Sequence, residues 1–307
     1  METNAVETNA VVHDEVTITL PRGEAIAGTL YQPASGTPRA TLVMHPATAT
    51  PRGFYRAFAQ FFASRGMAVL TYDVRGIGGS GDVRTYRYVR MRDWMAEETP
   101  ATAAWMQSRF PGVAHLAAGH SLGGHAMALG FGVDGLAGFA TVASHAGTIA
   151  RIEDPMERFR VRCFFRVAPT LSKVLGYAPS KVVFGANLPA AAIQDWAPWT
   201  RHPRYFFDDP TMRAAERAAS VRVPVIGVGV TDDAWASSTQ IDALLAGLTN
   251  TTVDRRTYAP TDLGRTSVGH HGLMRRGVGE RFWADLLTWF EARIAEAEAT
   301  REDLVSV

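Results

Sequence analysis

Leu116-Ala117-Ala118-Gly119-His120-Ser121-Leu122-Gly123-Gly124-His125-Ala126-Met127-Ala128-Leu129-Gly130 is the stretch that decides the fold. Its first part is short and apolar, as a strand buried on both faces is. Its second part reads as a helix made of small residues. Between them stands G-x-S-x-G, with glycine two residues before and two after Ser121. A serine held at a sharp strand-to-helix turn needs that spacing, because a Cβ at either glycine would crowd the turn. The pentapeptide alone is weak evidence; the strand and helix on either side give it weight.

Working outward, the same texture repeats. Period-two alternation in Val16–Leu20 and again in Ala25–Leu30 predicts an opening antiparallel hairpin. Thr41–His45, Met67–Asp73, Phe139–Ser144 and Val223–Val230 read as buried strands, with a further strand in TTVDRRTYAP. Helices are expected over Phe54–Arg65, Ala96–Phe110, Ser121 to about Gly130 and Thr239–Leu248. A last helix has Phe282 or Trp283, Leu286, Phe290 and Ile294 on one face. Apolar strands alternating with helices predict an α/β fold, a mostly parallel central sheet covered by helices on both faces. Its functional loops then lie at the C-terminal ends of the strands.

The alternation stops near residue 147. From there to 215 the chain has seven prolines, many aromatics and no strand-like run. The expected organisation is a core of residues 1–146 and 216–307, with residues 147–215 inserted as a helical lid after the sixth strand. The prolines predict short, bent helices there. The single cysteine, Cys163, rules out an intrachain disulfide and reads as a buried apolar residue. The ETNAV pair at the start reads as a frayed end.

Composition sets the outer limits. Hydrophobic residues at 47% and charged residues at 20% fit a globular chain with a sizeable core. With 31 basic against 30 acidic residues, the net charge of +1 favours neither nucleic acid nor an anionic membrane as partner. No apolar run approaches the ~20 residues a spanning helix needs. The first residues are acidic where a signal peptide is basic, so the expectation is a cytoplasmic protein. Self-association as a homodimer stays open.

Chemistry follows from Ser121. A serine hydroxyl needs a base oriented by a third group. With the serine in a strand-to-helix turn, the partners come in the order serine, acid, histidine. Val223–Val230 is followed by Thr231-Asp232-Asp233, and the next strand by Gly269-His270-His271-Gly272. Asp233 is preferred to Asp232 because Ala234-Trp235-Ala236 comes directly after it, although the spacing from Gly229 argues the other way. His270 is preferred to His271 because it directly follows Gly269. The metal alternative for the histidine pair lacks any H-E-x-x-H or Cys/His spacing, so neither metal nor cofactor is expected. The oxyanion donors are expected to be the backbone N–H groups of Leu122 and Ala47, since Pro46 has none. His45 either lines the site or anchors its loop. Trp196 and Trp199 are the lid aromatics expected to line a substrate pocket, although most aromatics there should simply pack. Arg201 and Arg204 could bind a carboxylate, with solvation the simpler reading.

Asp73-Val74-Arg75-Gly76-Ile77-Gly78-Gly79-Ser80 resembles the D-x-R-G-x-G-x-S loop after the fourth strand of α/β-hydrolases. More narrowly the chain resembles a group of bacterial α/β-hydrolases. It matches in PRGFYRAFAQFFASRG, LTYDVRGIGGSG, GHSLGGHA, NLPAAAIQDWAPW, HPRYFFDDP, VTDDAW and GHHGLMR, over residues 40 to 275. His271 stands where that group commonly has Phe. The resemblance implies an α/β-hydrolase fold and a structural role for the Asp73–Ser80 loop. The expected activity is serine hydrolysis of a small-molecule, ester-like acyl substrate. Acyl transfer or perhydrolysis by the same residues is the first alternative, and a non-catalytic binding protein on this scaffold the second.

Overall fold

The structure is a computed structural model and describes residues 9–181 and 185–305. Its centre is an eight-stranded sheet of β1 (Val11–Thr19), β2 (Ala25–Pro33), β3 (Ala40–His45), β4 (Met67–Tyr72), β5 (Ala114–His120), β6 (Leu136–Val142), β9 (Val225–Val230) and β10 (Val253–Tyr258). The spatial order is β1-β2-β4-β3-β5-β6-β9-β10. β1 pairs with β2, and β2 with β4, antiparallel; every other pairing is parallel. The opening hairpin is therefore present, and all six strands expected further along the chain are found. The ETNAV pair lies largely outside the described residues, but its last residue, Val11, opens β1 and is not frayed.

Alternation within each strand sorts side chains between two cores. Val43, Leu70, Ala117 and Phe139 face one layer. Leu42, Met44, Val69 and Leu116 face the other, against Phe58 and Phe62 of the helix Arg56–Ala63. The expected apolar face of the last helix, Glu280–Val305, closes that second layer with Phe282, Trp283, Leu286, Phe290 and Ile294. Each such ring or branched chain removed from water contributes roughly 1.5–3 kcal/mol.

The helix expected over Ala96–Phe110 begins earlier, at Met91. A π-helical stretch at Trp94–Glu98 precedes the regular helix Thr99–Arg109. The stretch brings Trp94 and Glu98 onto Arg75: the indole N–H donates to the Arg75 carbonyl at 3.1 Å, and the Arg75 Nε–H donates to Glu98 at 2.7 Å. The Asp73–Ser80 loop is closed from within. Ser80 Oγ donates to the Asp73 carbonyl at 2.6 Å, and the Asp73 carboxylate receives the N–H groups of Arg52 and Gly79.

Between β6 and β9 the chain leaves the sheet. It forms a helix Pro155–Leu175, a two-strand pairing of β7 (Tyr177–Ala178) with β8 (Leu188–Pro189), and helices Ala190–Trp199 and Ala214–Ser220. Two expectations are corrected here. The segment has a strand pair, and its first helix is 21 residues long in spite of Pro169. Proline removes the N–H that would serve the carbonyl four residues earlier, that of Phe165. The Arg201 guanidinium donates to that carbonyl at 3.4 Å. Asp154 caps the start, accepting from the Glu157 N–H at 2.7 Å, with Pro155 at the first position. Cys163 is exposed. The buried residues of this helix are Val161, Phe165, Ala168 and Ser172, and Cys163 lies on the other side. Among the described residues no helix is long and apolar enough to cross a membrane.

The junction of β5 with the helix Leu122–Ala128 leaves no room for larger residues. A Cβ at Gly119 would collide with the backbone of Gly123 and Gly124, and one at Gly123 with the carbonyl of His45. Gly123→Ala should therefore destabilise the fold by roughly 1–3 kcal/mol, the usual range for overpacking. Gly53→Ala, where nothing lies within 4 Å, should be nearly silent. Chemical denaturation of the two variants checks this; equal midpoints would show that the junction is not tight.

Candidate active site

β5 ends at His120, and Ser121 takes φ 51° and ψ −107° before the helix Leu122–Ala128 begins. A non-glycine residue held in that left-handed region costs of order 1–3 kcal/mol and persists only where its surroundings over-determine it. They do so here. The Ser121 N–H donates to the Val142 carbonyl at 2.8 Å, and Ser144 Oγ donates to the Ser121 carbonyl at 2.9 Å. Ala49 and Ala143, just past β3 and β6, share the positive φ. Of the five positive-φ non-glycine residues among the described residues, these three follow the C-terminal ends of the neighbouring strands β3, β5 and β6.

The turn Gly269–Gly272 presents His270. Its Nδ1 lies 2.8 Å from Asp233 Oδ2. A carboxylate only accepts, so Nδ1 carries the proton and Nε2 is the free base in the neutral ring. The other oxygen of Asp233 accepts from the N–H groups of Trp235 at 2.9 Å and Ala236 at 3.0 Å. Burial alone would raise the Asp233 pKa. The His270 charge and hydrogen bond, helped by the Ala236 N–H, outweigh it and hold the carboxyl below the usual range. Asp232 is exposed and does different work. It accepts from Ser267 Oγ at 2.9 Å and from the N–H groups of Val268 at 2.8 Å and Gly269 at 3.1 Å, so it ties down the turn that carries His270.

Ser121 and His270 line one cavity of about 170 Å³. Ala47, Thr48, His145, Glu157, Trp196, Trp235 and His271 complete its wall. Of the residues expected here from sequence, Ser121, His270, Ala47, His271 and Trp196 are brought together. Two are not. Trp199 is buried elsewhere, its indole N–H donating to Asp209 at 2.8 Å and its ring against Tyr205 and Phe206. His45 is fully buried with Nδ1 2.9 Å from the Tyr72 hydroxyl, so it anchors its loop and does not line the pocket. Arg204 pairs with Asp208 at 2.7 Å. Ala47 needs a correction of another kind: its N–H donates to the Tyr55 hydroxyl at 2.8 Å and is not free for an oxyanion.

That bond is the first link of a chain. Tyr55 Oη lies 3.0 Å from His120 Nδ1, and His120 Nε2 lies 2.9 Å from the His270 carbonyl. The carbonyl can only accept, so Nε2 is protonated, Nδ1 accepts from the tyrosine, and the tyrosine accepts from Ala47. The chain joins the loop after β3, the serine turn and the histidine turn.

His145, Glu157, Thr48 and Trp235 were not expected. His145 directly follows Phe139–Ser144, which the sequence reads as a strand, the position from which functional loops start, and that signal could have found it. Its Nδ1 accepts from the Gly147 N–H at 2.8 Å, and its ring centroid lies 5.8 Å from that of His270. Glu157 reaches the cavity from the helix Pro155–Leu175 and accepts from the Trp235 indole N–H at 3.1 Å. No feature of the sequence marks it.

A family model described as serine aminopeptidase, S33 matches residues 36–260, more than two thirds of the chain. No curated protein matches the sequence. Among solved structures, an esterase from Pyrococcus furiosus is similar at 14% identity and a TM-score of 0.61, over 92% of this chain and 93% of that one. A putative aryl esterase from Burkholderia cenocepacia is similar at 17% identity and a TM-score of 0.58, over 92% and 100%. An alpha/beta hydrolase from Penicillium sp. sh18 is similar at 15% identity and a TM-score of 0.61, over 92% and 99%. At these identities the likeness is one of fold.

The site is lined and backed by histidines that resist protonation. Burial pushes the pKa of His45 down to about 3 and that of His125 to about 4. Burial, then the His270 charge, takes His271 to about 4. Burial, with neighbouring histidines adding to it, takes His120 and His145 well below the ordinary value of 6.5. The unfolded chain therefore binds these protons first. Stability is full above about pH 6.5 and is lost as pH falls toward the folded values, His45 alone contributing about 2 kcal/mol of loss near pH 5. Urea midpoints should fall steadily from about pH 7 to about pH 5; a flat profile would contradict neutral buried histidines.

Proposed function

The chain belongs to the serine aminopeptidase S33 family of α/β-hydrolases, and from that membership we propose that it is a serine hydrolase of carboxylic ester-like substrates. Ser121 is the nucleophile, His270 the base and Asp233 its orienting acid. The observation that carries the reading is the strained Ser121 sharing a cavity with a histidine whose far nitrogen is held by a buried carboxylate. The neighbours described as esterases agree with it.

In the proposed cycle Ser121 Oγ attacks the acyl carbon as His270 Nε2 takes its proton. The protonated ring then gives that proton to the departing alkoxide, and water, activated by the same nitrogen, releases the acyl group. Asp233 keeps the proton on Nδ1. The Leu122 N–H, first in the helix after the nucleophile, is one oxyanion donor. With the Ala47 N–H engaged by Tyr55, the second falls to the next N–H along that loop, that of Thr48, which also borders the cavity. Ser121→Ala should abolish labelling by a fluorophosphonate and lower ester turnover by orders of magnitude without changing the melting temperature. Near wild-type turnover would overturn the reading.

A second reading, release of an N-terminal amino acid, is favoured by Glu157, a carboxylate on the cavity wall where a substrate ammonium could be received. Comparing p-nitrophenyl esters with aminoacyl p-nitroanilides separates the two. Only the second reading expects Glu157→Gln to raise KM selectively for the anilides.

Residues 147–215 act in this proposal as a lid that sets acyl preference. Trp196 borders the cavity, whereas Trp199 is packed away from it. Trp196→Ala should change the ratio of kcat/KM between short and long acyl esters, and Trp199→Ala should change stability but not the ratio. Loss of either buried ring can cost about 3–5 kcal/mol, so melting curves accompany the kinetics. Equal effects on every ester would make the segment a cover only.

A further inference from the structure

The helix Pro155–Leu175 has two apolar faces, and only one is covered. Val161, Phe165, Ala168 and Ser172 are buried, with Phe165 against Trp196 at 4.8 Å between ring centroids. On the opposite side Met156, Phe159, Cys163, Val167, Leu171 and Val174 recur at three- and four-residue steps, all exposed. Phe159 is 62% and Val174 83% exposed. Among the described residues the only large hydrophobics exposed outside this helix are Val12 and Tyr88. A patch so concentrated on one element marks an interaction surface.

Charge says what covers it. At 100° per residue, Arg158, Arg162, Arg166 and Lys173 form one row along the edge of the apolar stripe. Arg162 and Arg166 continue into a cleft of about 530 Å³ with Arg201, Thr170 and Thr200. Among the described residues Arg162, Arg166, Lys173 and Arg201 form no ion pair. Two copies of this helix laid antiparallel, stripe on stripe, would bring basic row against basic row. An anionic, water-to-oil boundary satisfies both features at once: acyl chains meet the stripe and phosphate groups meet the row.

We infer that this helix docks the protein onto anionic phospholipid surfaces, the apolar stripe entering the interface while Arg162, Arg166 and Arg201 receive headgroup phosphates. The protein is held at the surface and does not span it. The inference is independent of the catalytic reading, because its measurement is binding. Docking would also set the inner face of the same helix, with Glu157 on the cavity wall, directly beneath the lipid.

The test is co-sedimentation of the full chain with vesicles of phosphatidylcholine alone and of phosphatidylcholine mixed with phosphatidylglycerol. Binding to the mixed vesicles only is expected, weakening as added salt shortens the screening length. Arg162→Gln and Arg166→Gln should each weaken partitioning about fivefold, the factor for one charge at such a surface. The pair Phe159→Ser and Val167→Ser should abolish it. All four side chains are exposed, so melting curves should stay unchanged and confirm that each variant folds. Equal binding to both vesicle types, no binding at low salt, or full binding by the serine pair would overturn the inference. So would a concentration-dependent dimer in sedimentation velocity that the serine pair dissolves, with no vesicle binding, since a second copy would then cover the face.

Discussion

The molecule is organised around a turn that has no space in it. Ser121 sits at φ 51° between a strand and a helix, and three glycines around it, Gly119, Gly123 and Gly124, touch backbone or the Ser144 hydroxyl where a Cβ would stand. This close approach fixes how the helix Leu122–Ala128 leaves the sheet and how near it comes to β3 at His45. A serine held at such a strained position requires a rigid frame. The two cores on either face of the sheet provide it.

Loops that only meet in space are then tied together by a directional chain. Ala47 donates to Tyr55, Tyr55 to His120, and His120 to the carbonyl of His270. Each donor and acceptor is used once in a sense that only a neutral His120 permits, and burial keeps it neutral. Asp232 and Asp233 divide the remaining work, one holding the backbone of the histidine turn and the other the ring. Adjacent aspartates end up in opposite environments, exposed and buried, within a turn that the Asp233 N–H closes onto the Val230 carbonyl at 3.3 Å.

The segment between β6 and β9 shows how composition can mislead. Seven prolines suggest short, bent helices, yet Pro169 lies inside a 21-residue helix, where Arg201 donates to the carbonyl it orphans. A net charge of +1 for the whole chain is compatible with a helix that gathers Arg158, Arg160, Arg162, Arg166 and Lys173 on one element. Whole-chain averages cannot register such segregation.

By itself the sequence determined the strand order along the chain, the parallel core and its opening hairpin, and the serine turn. Each of these is written in local periodicity and glycine spacing, which short-range sterics enforce. For the candidate acid and base it favoured Asp233 over Asp232 and His270 over His271 on local context alone. Only the tertiary structure set Asp233 against His270, because that pairing depends on how two loops 37 residues apart meet. It also removed His45 and Trp199 from the pocket, engaged the Ala47 N–H, and brought in His145, Glu157 and Trp235. Those outcomes turn on hydrogen bonds between elements distant in the chain, such as Trp235 to Glu157 across 78 residues. No periodicity within either element encodes the partner in the other.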